Sequence, residues 1–147
     1  MEFQGARFVL LLVGVICVGI LLSAIFIPGE ISDAERSRIR VARGLLFANT
    51  AKTAIADYYK QHQIWPANNA ALDLPEPGAL VSDDVKSIAV GQHGVIIVTF
   101  NDALPSIADY QIALTPTIAP TGIEWSCRSV EQGPEKLDSQ WLPPNCR

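Results

Sequence analysis

The chain is poor in the residues from which catalytic and metal centres are built. It has two histidines, His62 and His93, three cysteines and one methionine in 147 residues. Neither histidine belongs to a spaced set of ligands, so a zinc site is not indicated. His62 falls near the end of a helical segment, where it favours the helix dipole, and His93 falls in a glycine turn. No nucleophile-elbow glycine-serine pattern and no phosphate-cradling glycine loop occurs. The adjacent acids Asp83 and Asp84 read as solvated loop charges, not as a general acid and base. Basic clusters are missing as well. From Thr53 to Arg147 there are five basic and eleven acidic residues, a net −6, which argues against nucleic acid as a partner. Internal repeats and low-complexity tracts are also absent. Neither an enzyme nor a bound cofactor is indicated.

Charge is missing altogether from Phe8 to Ile27, twenty residues that contain a single serine. As a helix such a run spans about 30 Å, the thickness of a bilayer's hydrocarbon. A removed signal peptide would have a shorter apolar region and several preceding positive charges, whereas only Arg7 precedes this one. The run therefore reads as a retained anchor, with Gly14, Gly19, Ser23 and Ala24 small enough for close helix approach. Pro28 and Gly29 end or kink it. The expected division is 1–29, leader-like residues and membrane helix, followed by 30–147, a globular head.

Two signals disagree about which side of the membrane carries that head. Arg36, Arg38, Arg40 and Arg43 follow the run closely, and by the positive-inside rule they favour a cytoplasmic head. Cys127 and Cys146, with eighteen residues between them, are either free thiols of a reducing compartment or a bridge formed in an oxidising one. A bridge would stabilise the head by about 3 kcal/mol through restriction of the unfolded chain. Cys17, inside the apolar run, has no sequence neighbour to pair with.

Ser32-Asp33-Ala34-Glu35 matches a capping box and predicts a helix to about His62. Phe47, Ala51, Ala54, Ile55 and Tyr58 fall on one face of it, while Lys52, Asp57 and Lys60 point elsewhere. Ile64 to Val85, broken by Pro66, Pro75, Pro77 and Gly78, reads as a long loop. Ser87–Val90 and Val95–Phe100 around Gly91-Gln92-His93-Gly94 read as a hairpin. Two further strands are expected at Gln111–Thr117 and Ile123–Cys127, with Pro116 marking an edge strand or strand end. The fold class is α+β: a long N-terminal helix packed by its second half on a four-stranded antiparallel sheet, with a C-terminal disulfide loop. Trp65 and Trp125 read as packing residues; Trp141 is the tryptophan expected to face a partner.

This order of features resembles the type IV pilin family. Lys52-Thr53-Ala54-Ile55-Ala56-Asp57-Tyr58-Tyr59 is similar to the family's K-T-A-x-A-[ED]-Y-Y segment, and Trp65-Pro66 to the pair that opens the loop after it. GQHGVIIVTF, Leu114-Thr115-Pro116 and Ile123–Cys127 resemble its sheet, and Leu142-Pro143-Pro144-Asn145-Cys146-Arg147 its ending. The resemblance implies that Cys127 and Cys146 form a disulfide and that the head lies in the periplasm, outside the inner membrane. It implies a structural subunit of a pilus-like filament serving adhesion, motility or uptake. Its partners would be other pilin-like subunits, met through the apolar helix, and the pilus or secretion assembly machinery. A minor pilin, a pseudopilin, or a non-polymerising anchored domain is the alternative. At the N-terminus, Met1-Glu2-Phe3-Gln4-Gly5 has the length of the family's leader, with cleavage expected between Gly5 and Ala6. That leader is not basic, however, and Leu10 stands where the family carries a glutamate.

Overall fold

The computed structural model describes residues 31–103, 105–130 and 137–146, together with Val13 and Ile16. The chain divides into two compact units, residues 1–31 and 32–147. Val13 and Ile16 are helical and exposed. The remainder of the apolar run, the Gly5–Ala6 junction and the Pro28-Gly29 kink lie outside the described residues.

The second unit opens with helix α1, Asp33–Phe47. Its cap is the expected one: the Ser32 hydroxyl accepts from the Glu35 amide at 3.2 Å. Helix α2, Asn49–His62, follows after a single residue, Ala48. Ala48 donates to the Gly44 carbonyl and accepts from the Lys52 amide, so the hydrogen-bond ladder crosses the junction. Gln63, at φ 56°, closes α2 by donating its amide to the Tyr59 carbonyl.

The buried stripe of the two helices is Ser37, Val41, Gly44, Ala48, Ala51 and Ile55, spaced alternately by four and three. It includes Ala51 and Ile55 of the predicted face, but Phe47, Ala54 and Tyr58 are only half-buried. The rotation follows from Gly44. A Cβ there would lie 2.6 Å from Phe100 Cε1 and 3.2 Å from Val85 Cγ2, so these side chains occupy the space that glycine leaves open.

The sheet holds strands β1 (Val85–Val90), β2 (Ile96–Phe100), β3 (Gln111–Ala119) and β4 (Gly122–Ser129), antiparallel in sequence order. Val85, Ile88, Val90, Ile96, Val98, Phe100, Ile112 and Leu114 form the core with the helical stripe. Pro116 marks neither an edge strand nor a strand end, since β3 is internal and continues to Ala119. It is tolerated because pairing with β2 stops at Ile96–Leu114, and beyond that β3 pairs with β4 alone. On β4, Ile123, Trp125 and Cys127 share the half-buried face while Glu124, Ser126 and Arg128 are exposed, in the alternation predicted.

The long connection from Ile64 to β1 contains two 3-10 turns, Ala70–Leu72 and Pro77–Ala79. Asn69 organises it. Its buried carboxamide accepts from the Val90 amide at 2.6 Å and donates to the Ile88 and Pro75 carbonyls at 3.1 and 2.9 Å. One side chain thus supplies the edge of β1 with the partners another strand would have given. Asp84 is also a structural residue, in contrast to the solvated loop charge expected of it. Its side chain is 5% exposed and bonds Arg40 at 2.8 Å and Arg43 at 3.4 Å, joining α1 to the start of β1. Two of the four arginines that suggested a cytoplasmic head are thus engaged in the fold.

Cys127 and Cys146 are joined by a disulfide, with Cα atoms 4.5 Å apart. It ties β4 to the C-terminal turn, whose Leu137, Leu142 and Cys146 are buried in the same core. Removing it with Cys127→Ala should destabilise residues 32–147 by about 2–5 kcal/mol in a denaturant titration. Gly44→Ala, which adds one methyl against Phe100, should cost about 1–3 kcal/mol in the same measurement. An unchanged midpoint for Gly44→Ala would show that the helix stands off the sheet.

Candidate assembly surface

Opposite the sheet, the helix is not uniformly polar. Ile39 is 38% and Leu46 66% exposed, and Ala42, Asn49 and Thr53 continue the same outward side. A large apolar side chain on the solvent side of an amphipathic helix lacks the partner that its counterparts have against the sheet. Beside this strip runs an open groove of about 330 Å³. Ala42, Leu46, Asn49 and Lys52 form its helical wall, and Leu114, Trp125, Cys127 and Pro143 are among the residues facing them. The disulfide and the C-terminal turn therefore help to shape the groove as well as to close the fold.

Polar residues along the helix are matched within the head. Arg36 pairs with Asp33 and Arg38 with Glu35, both at 3.6 Å, and Arg38 Nε also donates to the Gln140 carbonyl at 2.9 Å. Lys52 is different. Its ammonium lies 5.5 Å from the centre of the Trp125 ring, a cation–π arrangement, and burial pushes its pKa below the ordinary lysine value. Sequence reasoning placed Lys52 away from the predicted apolar face but did not find this contact. The residue twins on opposite elements, Lys52 on α2 and Trp125 on β4, are far apart in the chain, and only the register of helix on sheet brings them together.

Of the other residues singled out from sequence, Trp141 lies in the C-terminal loop, half-buried against the core. Its indole nitrogen is buried with no hydrogen-bond partner. Trp65 is half-buried and its ring centre lies 4.2 Å from that of Tyr59, while the neighbouring Pro66 accepts a hydrogen bond from the Gly94 amide in the β1–β2 turn. The Trp-Pro corner is thus a packing element. His62 stacks on Tyr58 at the end of α2, with 4.3 Å between ring centres. His93 occupies the turn with φ 61°. Among the described residues no group of three or more histidine, cysteine, aspartate or glutamate side chains could hold a metal ion. Among them too, no helix is long and apolar enough to cross a membrane. Leu10 and Cys17 lie outside the described residues.

Comparison with known proteins agrees with this architecture. The pilin family, a family of bacterial filament proteins, matches residues 37–147. The fimbrial protein EcpC of Eikenella corrodens is 30% identical over 148 residues, covering 98% of this chain and 90% of that protein. The type IV major pilin protein PilE of Neisseria gonorrhoeae is 24% identical over 160 residues, covering 98% and 93%. A fimbrial protein of Neisseria meningitidis serogroup B is 23% identical over 163 residues, covering 98% and 94%. With its helix on a four-stranded antiparallel sheet, its C-terminal disulfide and a family match over most of its length, the chain belongs to the type IV pilin family.

Proposed function

We propose that this chain is a structural subunit of a pilus filament, held before assembly in the inner membrane by residues 8–27 with its head in the periplasm. The observation that carries the reading is the second apolar side of the helix. Ile39 and Leu46 remain exposed after the sheet has covered the opposite side, and a neighbouring subunit's apolar helix is a chemically matched cover. The absence of any charge from Phe8 to Ile27 supports the same role, since such a run is stable in a bilayer and equally stable in the dry centre of a filament. The Cys127–Cys146 bridge supports an oxidising compartment for the head.

In this reading the leader is removed between Gly5 and Ala6, and Pro28-Gly29 allows the apolar run to bend relative to α1. Trp141 offers its exposed part to a partner from within the disulfide-closed loop. The assembly machinery supplies the extraction from the membrane. Leu10 stands where the family's acid is expected, so packing and contacts beyond the run carry more of the subunit association than an ion pair buried inside it.

Filaments sheared from cells that express the chain should contain it, with Ala6 as the first residue on N-terminal sequencing. Val18→Arg places a charge in the middle of the run and costs about 2.5–3.5 kcal/mol on membrane-insertion scales. It should remove the protein from both membrane and filament fractions. Recovery of intact Val18→Arg filaments would exclude the anchor-and-core role of residues 8–27.

A further inference from the structure

The described residues include three lysines, Lys52, Lys60 and Lys86, and the fold gives each a different setting. Lys60 is exposed to solvent on α2. Lys86 is exposed as well and bonds the Asp109 carboxylate, whose hydrogen bond and charge raise the lysine pKa. Lys52 is half-buried, and among the described residues it has no carboxylate partner. Its ammonium faces the Trp125 ring at the rim of the open groove between the helix and β4.

An amine held partly out of water is poorly placed as a cation. Burial lowers the Lys52 pKa, so more of it is free base, the form with a lone pair to give, than of an exposed lysine. A reaction that leaves this nitrogen neutral also removes the desolvation cost of the charge. The groove decides what kind of reagent is held there. Its wall of Leu46, Leu114, Trp125 and Pro143 is apolar, so it retains a hydrocarbon body beside the amine. Asn49, three positions before Lys52, lines the same groove, and its carboxamide has no hydrogen bond among the described residues. Such a carboxamide can donate to a carbonyl oxygen while an amine attacks the carbon.

We propose that Lys52 is a modification site for aliphatic aldehydes, bound with their hydrocarbon in the groove and their carbonyl at the Lys52 amine. The free-base nitrogen gives its lone pair to the carbonyl carbon, and the C=O π electrons move to oxygen. That oxygen takes up the proton that nitrogen releases, which forms a carbinolamine. A second proton then passes from nitrogen to the hydroxyl, the C–O bond breaks, and the oxygen leaves as water. One amine and one aldehyde thus give one imine and one water, with no change of oxidation state. The modified helix loses a charge on its outward side, and the apolar groove is filled by the new chain. The inference concerns the head alone and stands apart from the filament reading.

The test uses the full-length chain in washed membranes at neutral pH. It is treated with acetaldehyde or with hexanal, and with cyanoborohydride, which reduces each imine to a stable secondary amine. Peptide mass mapping gives the fraction modified at Lys52, Lys60 and Lys86 of the same chain, so uptake of aldehyde by the bilayer cancels. Lys52 should lead in the folded chain and lose its lead in concentrated urea. With hexanal the lead should grow by roughly tenfold or more, since each methylene that leaves water contributes up to about fourfold. Leu46 is exposed, so Leu46→Gln leaves the core packing in place, and it should cut the hexanal lead while sparing that of acetaldehyde. Equal modification of the three lysines in the folded chain overturns the proposal. So does a Lys52 lead that is the same for both aldehydes, or a hexanal lead that Leu46→Gln leaves undiminished.

Discussion

The head is organised by how closely one helix approaches one sheet, and that distance is set where Gly44 faces Phe100 and Val85. A methyl group at position 44 would overlap the Phe100 ring, so the helix reaches its seat only because the side chain is missing. Everything buried along the helix follows from this seat. Val41 and Ser37 lie one and two turns before it, and Ala48, Ala51 and Ile55 lie after it on the same stripe. Small residues at 44, 48 and 51 let Phe100, Ile96 and Ile88 supply most of the bulk from the sheet side. The Asp84 carboxylate then fixes the helix along its length, because two arginines one turn apart hold it from the same side.

Close seating on the sheet leaves the other side of the helix unfinished. A helix with one apolar stripe is satisfied by one partner surface, but this one has Ile39 and Leu46 on its far side as well. The head can be a stable folded unit and still carry a surface that water covers poorly. In a subunit that assembles with copies of its own kind, such a helix has one side for folding and a second side still open to contact.

Charge follows the same economy. Arginines of α1 are bound inward or to their own helix, so they add order to the head without presenting an unmatched basic strip. Both sheet edges are covered, β1 by the Asn69 carboxamide and the turn at Pro77–Ala79, β4 by the disulfide-linked C-terminal turn. Covered edges suppress strand-to-strand association between copies. Lys52 stands apart from this pattern, since its contact is an aromatic face instead of a carboxylate.

Much of this was legible in the chain before any coordinates. The Ser32 cap, the extent of the helix to His62, the hairpin around Gly91–Gly94 and the alternation at Ile123–Cys127 are local properties, written in residues a few positions apart. Periodicity placed Ala51 and Ile55 in the core for the same reason, and the ordered motifs carried the family resemblance and the disulfide. What local pattern could not decide was the rotation of the helix about its axis, which a glycine facing a ring settles across a separation of more than fifty residues. It could not distinguish Asp84 from Asp83, because burial of one acid and exposure of its neighbour depend on where two distant arginines reach. Nor could it show that Pro116 sits in an internal strand, or that Lys52 meets Trp125. The sequence determined the elements, their order and the apolar run. Tertiary structure alone decided which faces meet, because contact between distant residues depends on the register in which whole elements pack.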